Sequence, residues 1–168
     1  MNHTTDLMQN LEILKNPYED PQYATAIFEV LNSYAEDPMG GGESLGAFTR
    51  DNLLGELKAR HWVVTFLAVL DGEPVGLLIA MEGFSTFVAR PLMNIHDVAV
   101  VPGKRGNGIG KALFAAVEAE SIRRGCCKLT LEVLSGNERA IRVYKSLGFQ
   151  PYELDPEAGT AEFWEKKL

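Results

Sequence analysis

The residues with the most specific chemical pattern form a glycine-dense segment between a β-branched run and a helical repeat. This segment, called here the glycine loop (residues 102–110), contains Gly106, Gly108 and Gly110. Glycine has no Cβ, so the backbone can adopt φ values that cost other residues energy, and it can approach a ligand closely. Apolar residues at helical spacing begin at Ile109, so unpaired N–H groups and the positive end of a helix dipole meet at the loop. This combination predicts a phosphate-binding site.

The spacing within the glycine loop excludes two common phosphate motifs. A P-loop requires a glycine five residues before its Gly-Lys pair and a hydroxyl residue after the lysine, but Arg105 and Ala112 occupy those positions. A dinucleotide fingerprint requires G-x-G-x-x-G, whereas these glycines are spaced G-x-G-x-G. The pattern that fits is R-x-x-G-x-G, made by Arg105, Gly108 and Gly110 directly after a predicted strand.

A second group of residues lies downstream at helical spacing. Its members match the pattern N-x-x-A-x-x-x-Y-x-x-x-G-F: Asn137, Ala140, Tyr144, Gly148 and Phe149. The first three are spaced i, i+3, i+7 and therefore share one face of a helix. Together, the two motifs resemble those of the GNAT superfamily of N-acetyltransferases, and the resemblance covers about residues 67–149.

The resemblance implies that acetyl-CoA is the cosubstrate and that the glycine loop cradles its pyrophosphate. The residues implied in that contact are Arg105, Gly106, Asn107, Gly108, Ile109, Gly110 and Lys111. The resemblance also implies that Val98 and Val100 align the pantetheine arm and the acetyl group, and that Asn137 contacts the arm. It assigns Tyr144 to protonate or hydrogen-bond the departing thiolate, which suits a phenol with a pKa near ~10. The alternative for Asn137 and Tyr144 is a structural role, as a helix N-cap and a packed ring.

His96 is the candidate general base for the incoming amine, which arrives mostly as an ammonium ion and must lose a proton. Histidine suits this task because it titrates near neutral pH. A strand period of two puts His96 on one face with Val98 and Val100. Asn94 shares that face. Asp97 is the next candidate base: it points the other way on an ideal strand, although a bulge expected in this strand could re-aim it. The alternative for His96 is a hydrogen-bonded histidine of the core.

The elements that position these residues are predicted from periodicity, caps and turn signals. Strands are expected at residues 11–14, 63–70, 75–81, 94–101, 128–134, 152–154 and 161–164. Helices are expected at residues 21–34, 49–60, 109–125 and 138–147, and loops at residues 36–43 and 83–91, of which the first is the most flexible. The resemblance implies a single domain over residues 1–168 with an α/β (α+β) fold, the GNAT acyl-CoA N-acyltransferase fold. Its central mixed, mostly antiparallel sheet has about six to seven strands and is flanked by four helices.

The composition restricts the partners of the chain. With 168 residues the chain suits one domain, and its net charge of −7 argues against nucleic-acid binding, which needs clustered Lys and Arg. No signal-peptide pattern opens the sequence and no apolar stretch reaches the ~18 residues of a membrane span, so we expect a cytoplasmic protein without a membrane partner. Cys126 and Cys127 have no metal-ligand spacing, so they are expected to be reduced core residues, and no metal is required.

The predicted activity is direct transfer of an acetyl group from acetyl-CoA to a primary amine of a small molecule, in a ternary complex. The acidic composition and the glycine-rich segment 36–43 favour a small diffusible amine. Two alternatives stay open: acetylation of a protein N-terminus or lysine, and a CoA-binding sensor without turnover. The resemblance is compatible with a homodimer, although the sequence contains no interface motif.

Overall fold

The computed structural model describes residues 10–152, residue 157 and residues 161–167. Within them the chain forms five strands and four helices. The strands are β1 (Leu11–Lys15), β2 (Val63–Leu70), β3 (Glu73–Ser85), β4 (Arg90–Val100) and β5 (Leu129–Leu131). The helices are α1 (Pro21–Ala35), α2 (Ala47–Ala59), α3 (Ile109–Arg123) and α4 (Glu138–Ser146). The chain divides into two compact units between Glu132 and Val133, and each unit is described by itself.

The five strands form one sheet in the order β1-β2-β3-β4-β5. The first four pair antiparallel with their neighbours, and β5 runs parallel to β4. The mixed, mostly antiparallel sheet and the four helices confirm the predicted architecture, while five strands is fewer than the predicted six to seven. Residues 161–164 were predicted as a strand but have no regular structure, because they form no ladder with a described strand. Most of the predicted strand 152–154 lies outside the described residues.

Helix α1 confirms the predicted first helix and its capping. The Asp20 carboxylate accepts a hydrogen bond from the Gln22 N–H, and Pro21 fits the first helical turn because it has no N–H to leave unpaired. The buried residues of α1 are Ala24, Ala26, Ile27, Val30, Leu31 and Ala35. Several of them pack with Leu57 of α2 and with Leu77 and Ile79 of β3 in one core cluster. Helices α1 and α2 therefore share one face of the sheet.

Strands β3 and β4 form a longer hairpin than predicted. The expected loop at residues 83–91 is mostly strand, since the β3/β4 ladder continues to Ser85 and leaves only residues 86–89 as a turn. Pro91 does not interrupt β4 and stays in register opposite Phe84 of β3. Its carbonyl points to the other edge, where it accepts a hydrogen bond from the Cys127 N–H at 2.7 Å, so the missing N–H removes no bond to β3. The local turn signals therefore placed the end of β3 too early.

Helix α3 packs against the opposite face of the sheet, above Gly76 of β3. A Cβ at Gly76 would lie 3.0 Å from Ile109 Cγ2 and 3.2 Å from Leu113 Cδ1. Both of these α3 side chains are fully buried. The missing side chain at Gly76 therefore allows the first turns of α3 to approach the sheet closely.

The connection between α3 and β5 contains both cysteines. Cys126 and Cys127 are free thiols, as predicted, but they are half-buried and are not core residues, because they lie in a short turn after the helix. Among the helices that the structure describes, none combines the length and apolar character needed to cross a membrane.

The carboxylate of Glu120, only 6% exposed, organises the last turns of α3. It accepts hydrogen bonds from Arg123 at 2.7 and 2.9 Å, from Arg124 at 2.7 Å and from Lys15 at 3.2 Å. Arg124 also donates to Glu82 at 2.9 Å. The hydrogen bond from Arg123 lowers the pKa of Glu120 well below its usual range, against the effect of burial, and Arg124 and Lys15 lower it further. This network ties α3 to β1 and β3.

We expect Glu120→Gln to lower the free energy of unfolding at pH 7 by roughly 1–3 kcal/mol, because it removes the charge that three cations share. A carboxylate with a lowered pKa stabilises the fold above its unfolded-state pKa, near ~4.3 for glutamate. The advantage of the wild type over the variant should therefore shrink as the pH falls below that value. Urea unfolding at pH 7 and at pH 3 measures both effects.

The matched control is Glu138→Gln in α4, which removes an ion pair with Arg142 whose side chains are both largely exposed. Exposed pairs of this kind contribute ~0–1 kcal/mol. Equal losses of stability in the two variants would contradict a special role for Glu120.

Candidate functional site

The glycine loop connects β4 to α3, as predicted. Gly103, Gly106 and Gly108 have left-handed φ values of 82°, 88° and 85°, which residues with a Cβ adopt only at a cost. The first helical hydrogen bond of α3 runs from the Ala112 N–H to the Gly108 carbonyl at 3.1 Å, so the three preceding N–H groups lie before the helical ladder. Lys111 adds an exposed positive charge in the same turn. This end of α3 therefore suits an anionic group such as a phosphate.

Two polar side chains of the glycine loop, those of Arg105 and Asn107, donate hydrogen bonds within the first unit. Arg105 donates from Nε to the Val100 carbonyl at 2.9 Å and from Nη1 to an oxygen of the Asp37 carboxylate at 2.9 Å. Asn107 donates to the Lys104 carbonyl at 3.2 Å, within the loop itself. Both side chains stabilise the shape of the loop, and their predicted contacts with phosphate stay predictions.

Strand β4 contains a β-bulge at His96. Ile79 of β3 pairs with Asp97 and Ala80 pairs with Ile95, so His96 is an extra residue without a counterpart in β3. The bulge anticipated for this strand is thus present. It falls at the candidate base.

The bulge changes which side chains of β4 share a face. Paired residues of antiparallel strands point to the same side, so the register puts Asn94 with Asp97, and Ile95 with Val98 and Val100. The predicted common face of Asn94, His96, Val98 and Val100 is therefore wrong, because a strict period of two does not allow for an inserted residue.

The parallel ladder between β4 and β5 ends just before the bulge, at Ile95 opposite Leu131. Strand β5 accordingly covers three residues, fewer than the predicted 128–134. Beyond the bulge, residues 97–100 of β4 pair with β3 and with no other strand that the structure describes. The second edge of β4 therefore offers backbone hydrogen-bonding groups next to the glycine loop.

The electrostatic environment of the bulge is acidic. His96 is exposed, which excludes the alternative of a core histidine, whereas Asp97 is half-buried on the face that packs against α1. Burial raises the pKa of Asp97, and the charge of His96 opposes part of that effect. Burial also raises the pKa of Tyr34 in α1, with further contributions from Asp97 and Asp37. An exposed imidazole next to carboxylates suits a cationic substrate.

The second motif lies in the second unit. The side chain of Asn137 accepts a hydrogen bond from the Ala140 N–H at 3.1 Å and so caps α4, as predicted. The ring centroids of Tyr144 and Phe149 lie 6.1 Å apart, and Gly148 follows the helix with a φ of 89°. The roles of Asn137 and Tyr144 toward a cosubstrate stay predictions.

The sequence reasoning did not single out Gly76 or Asp37. An isolated glycine inside a strand pattern is a signal of close backbone approach, so Gly76 carried a usable clue. Asp37 belongs to an Asp-Pro turn signal, but its partner Arg105 is 68 positions away, and that pairing has no local signature.

The mixed sheet, whose bulged strand leads through a glycine loop into a helix N-terminus, has at this end of the strand a geometry that suits a phosphate-bearing ligand. The model of the acetyltransferase (GNAT) family matches residues 24–149. The chain belongs to the acetyltransferase (GNAT) family, whose members use acetyl-CoA.

Curated relatives share this region of the chain. Thialysine N-epsilon-acetyltransferase from Bos taurus is 35% identical over 101 residues, which are 57% of this chain and 59% of that protein. Streptothricin acetyltransferase from Streptomyces lavendulae is 38% identical over 92 residues, 54% of this chain and 47% of that protein. The chain thus spans about half the length of these relatives.

Solved structures agree on the fold. An aminoglycoside acetyltransferase from an uncultured soil metagenomic sample, in complex with sisomicin, matches with a TM-score of 0.77 at 18% identity. The match covers 96% of this chain and 99% of that one. At this level of identity the likeness shows the fold alone.

We expect Gly76→Ala to lower the free energy of unfolding by roughly 1–3 kcal/mol, the usual cost of overpacking a core. The added methyl would lie 3.2 Å from the Ala99 carbonyl oxygen, a backbone atom, as well as against Ile109 and Leu113. The variant should also bind acetyl-CoA more weakly, because α3 must move away from the sheet. Thermal unfolding and isothermal titration calorimetry measure the two effects.

Gly55→Ala is the matched control, because the space around Gly55 in α2 is open. It should raise the stability by up to ~1 kcal/mol through helix propensity and leave acetyl-CoA binding unchanged. A Gly76→Ala variant as stable as the wild type would show that α3 does not depend on this close approach.

Proposed function

We propose that the protein transfers the acetyl group of acetyl-CoA directly to a primary amine of a small molecule. The observation that carries this proposal is the end of β4, where a strand edge without a described strand partner leads into the glycine loop and the N-terminus of α3. A strand edge suits an extended pantetheine arm, and a helix N-terminus suits a pyrophosphate. The two features follow each other along the chain in the order in which acetyl-CoA presents these groups.

In this proposal the pyrophosphate accepts hydrogen bonds from backbone N–H groups around the start of α3, and Lys111 contributes positive charge. The proposed contacts come from Arg105, Gly106, Asn107, Gly108, Ile109, Gly110 and Lys111. Backbone groups of Val98 and Val100 align the pantetheine arm, and an N–H there polarises the acetyl carbonyl. Asn137 contacts the arm, as the motif of α4 implies.

The proposed reaction is a single acyl transfer. The amine nitrogen attacks the acetyl carbonyl carbon and forms the new C–N bond, and the C–S bond of the thioester breaks. The ammonium form of the amine first loses one proton to a base. As the C–S bond breaks, the departing thiolate takes a proton from the Tyr144 hydroxyl, and the resulting phenolate regains a proton from the second one that the attacking nitrogen loses. The motif that contains Tyr144 supports this assignment.

We assign the base to His96, which accepts the proton directly or through a water molecule. Its exposure at the bulge supports this role, since an incoming amine can reach the imidazole. Asp97 lies next to it and interacts electrostatically with it.

The proposed acceptor is a small cationic amine. The relatives named for thialysine and streptothricin support a small-molecule acceptor. The net charge of −7 adds a long-range attraction for cations. Together they favour this class over a protein substrate.

We expect acetyl transfer to at least one member of a panel of polyamines, amino acids, aminoglycosides, aromatic amines and N-terminal peptides, detected by mass spectrometry. Tyr144→Phe should lower the rate at least ~10-fold, because the thiolate loses its proton donor. Tyr23→Phe is the matched control, which removes a phenol hydroxyl from α1 and should leave the rate unchanged. Tight acetyl-CoA binding without any acetylated product would favour a CoA-binding sensor.

We expect His96→Gln to lower kcat by roughly 100-fold and to abolish the acidic limb of the pH–rate profile. The reason is that the base must be unprotonated before it can accept a proton from the amine. Asp97→Asn should lower kcat less and keep the pH dependence. A complete pH–rate profile of each variant decides the assignment: if Asp97→Asn abolishes the acidic limb and His96→Gln keeps it, Asp97 is the base.

A further inference from the structure

In the segment after α1, called here the Asp37 turn (residues 36–46), Asp37 accepts hydrogen bonds through both its main chain and its side chain. The Asp37 carbonyl accepts hydrogen bonds from the Gly40 N–H at 2.7 Å and the Gly42 N–H at 3.1 Å. One oxygen of its carboxylate, Oδ1, accepts from the Met39 N–H at 3.0 Å. Together with the Ala35 carbonyl, which accepts from the Gly42 and Glu43 N–H groups, Asp37 thus shapes a glycine-rich segment that has no regular structure of its own.

The same carboxylate reaches the glycine loop. Its other oxygen, Oδ2, accepts from Nη1 of Arg105 at 2.9 Å, while Nε of that guanidinium donates to the Val100 carbonyl at 2.9 Å. The two side chains are only 23% and 31% exposed. Hydrogen bonds between ionised groups shielded from water are shorter and stronger than neutral ones. Arg105 therefore joins the end of β4, the glycine loop and the Asp37 turn.

We propose that Asp37 is a positioning residue for acetyl-CoA: it holds the Arg105 side chain, which in turn holds the glycine loop with its N–H groups oriented toward the pyrophosphate. This inference rests on the proposed function, in which that loop binds acetyl-CoA. Two donor nitrogens of Arg105, Nε and Nη1, are engaged within the protein. The contribution of Arg105 is therefore mainly to the shape of the loop, and the backbone supplies most of the phosphate contacts.

The proposal makes a prediction opposite to that of simple electrostatics. Asp37 is a negative charge near a site for a polyanion, so removing the charge would tighten acetyl-CoA binding if Arg105 were only a direct phosphate ligand. If Asp37 positions the loop, removing its charge weakens binding, because the loop must be ordered at the expense of binding energy. The sign of the change in affinity separates the two roles.

The experiment compares Asp37→Asn with wild type by calorimetric titration of acetyl-CoA and by hydrogen exchange of residues 104–113 in the free protein. Asparagine retains an oxygen for the Met39 N–H but loses the charge that holds Arg105. We expect the Kd for acetyl-CoA to rise about tenfold and the amides of Lys104 and Ala112, both hydrogen-bonded in the structure, to exchange faster. An unchanged or lower Kd would overturn the proposal, whatever the exchange rate.

Asp51→Asn is the matched control, because Asp51 pairs with Arg50 on α2 and both side chains are largely exposed. It should change neither the Kd nor the exchange. If the wild type itself does not bind acetyl-CoA, the proposed function fails, and the positioning of the loop by Asp37 is then decided by the exchange rates alone.

A double-variant comparison tests whether Asp37 acts through Arg105. Arg105→Ala alone should weaken acetyl-CoA binding, and adding Asp37→Asn to it should have little further effect. Independent effects that multiply in the double variant would overturn the inferred route through Arg105. Unchanged thermal unfolding temperatures would show that the loss of affinity does not arise from general destabilisation.

Discussion

The bulge at His96 is the constraint on which the arrangement of the candidate site depends. It inserts one residue into β4 opposite the Ile79/Ala80 step of β3, and a strand with an inserted residue bends and twists more strongly. The ladder with β5 stops one residue before it. Three features meet at the bulge: an exposed imidazole, a change of face for the residues beyond it, and the start of a strand edge that no described strand occupies. The proposed chemistry uses the imidazole and the strand edge.

The glycine loop depends on a different constraint, the conformation of its backbone. Left-handed glycines turn the chain from the end of β4 into α3, and the absence of a side chain on Gly76 lets the start of α3 pack closely on the sheet. Arg105 then connects this loop to the turn after α1. The glycine loop is therefore shaped largely by backbone geometry and by one ion pair, which joins Arg105 of the motif to Asp37 outside it.

Features determined by adjacent residues were predictable from the sequence. Three such features each depend on a few consecutive residues: the Asp20 cap with Pro21, the strand–loop–helix around the glycine loop, and the end of α4 before Gly148. Features that depend on strand register or on a distant partner were not predictable from the sequence. The position of the bulge depends on the pairing of β4 with β3. The β3/β4 hairpin is longer than its turn signals indicate. Residues 161–164 would need a partner strand to form a strand themselves.

The charge of the protein and the charge of its proposed cosubstrate have the same sign, and the structure suggests how binding is still favourable. A chain with net charge −7 repels a polyanion at long range, but this repulsion is screened beyond roughly 8–10 Å in physiological salt. At contact distance, the backbone N–H groups at the start of α3 supply partial positive charge without net charge. Under the proposed function, the remaining acidic surface would attract a cationic amine. A local positive potential at the start of α3 on an otherwise acidic chain is compatible with an anionic cosubstrate and a cationic acceptor.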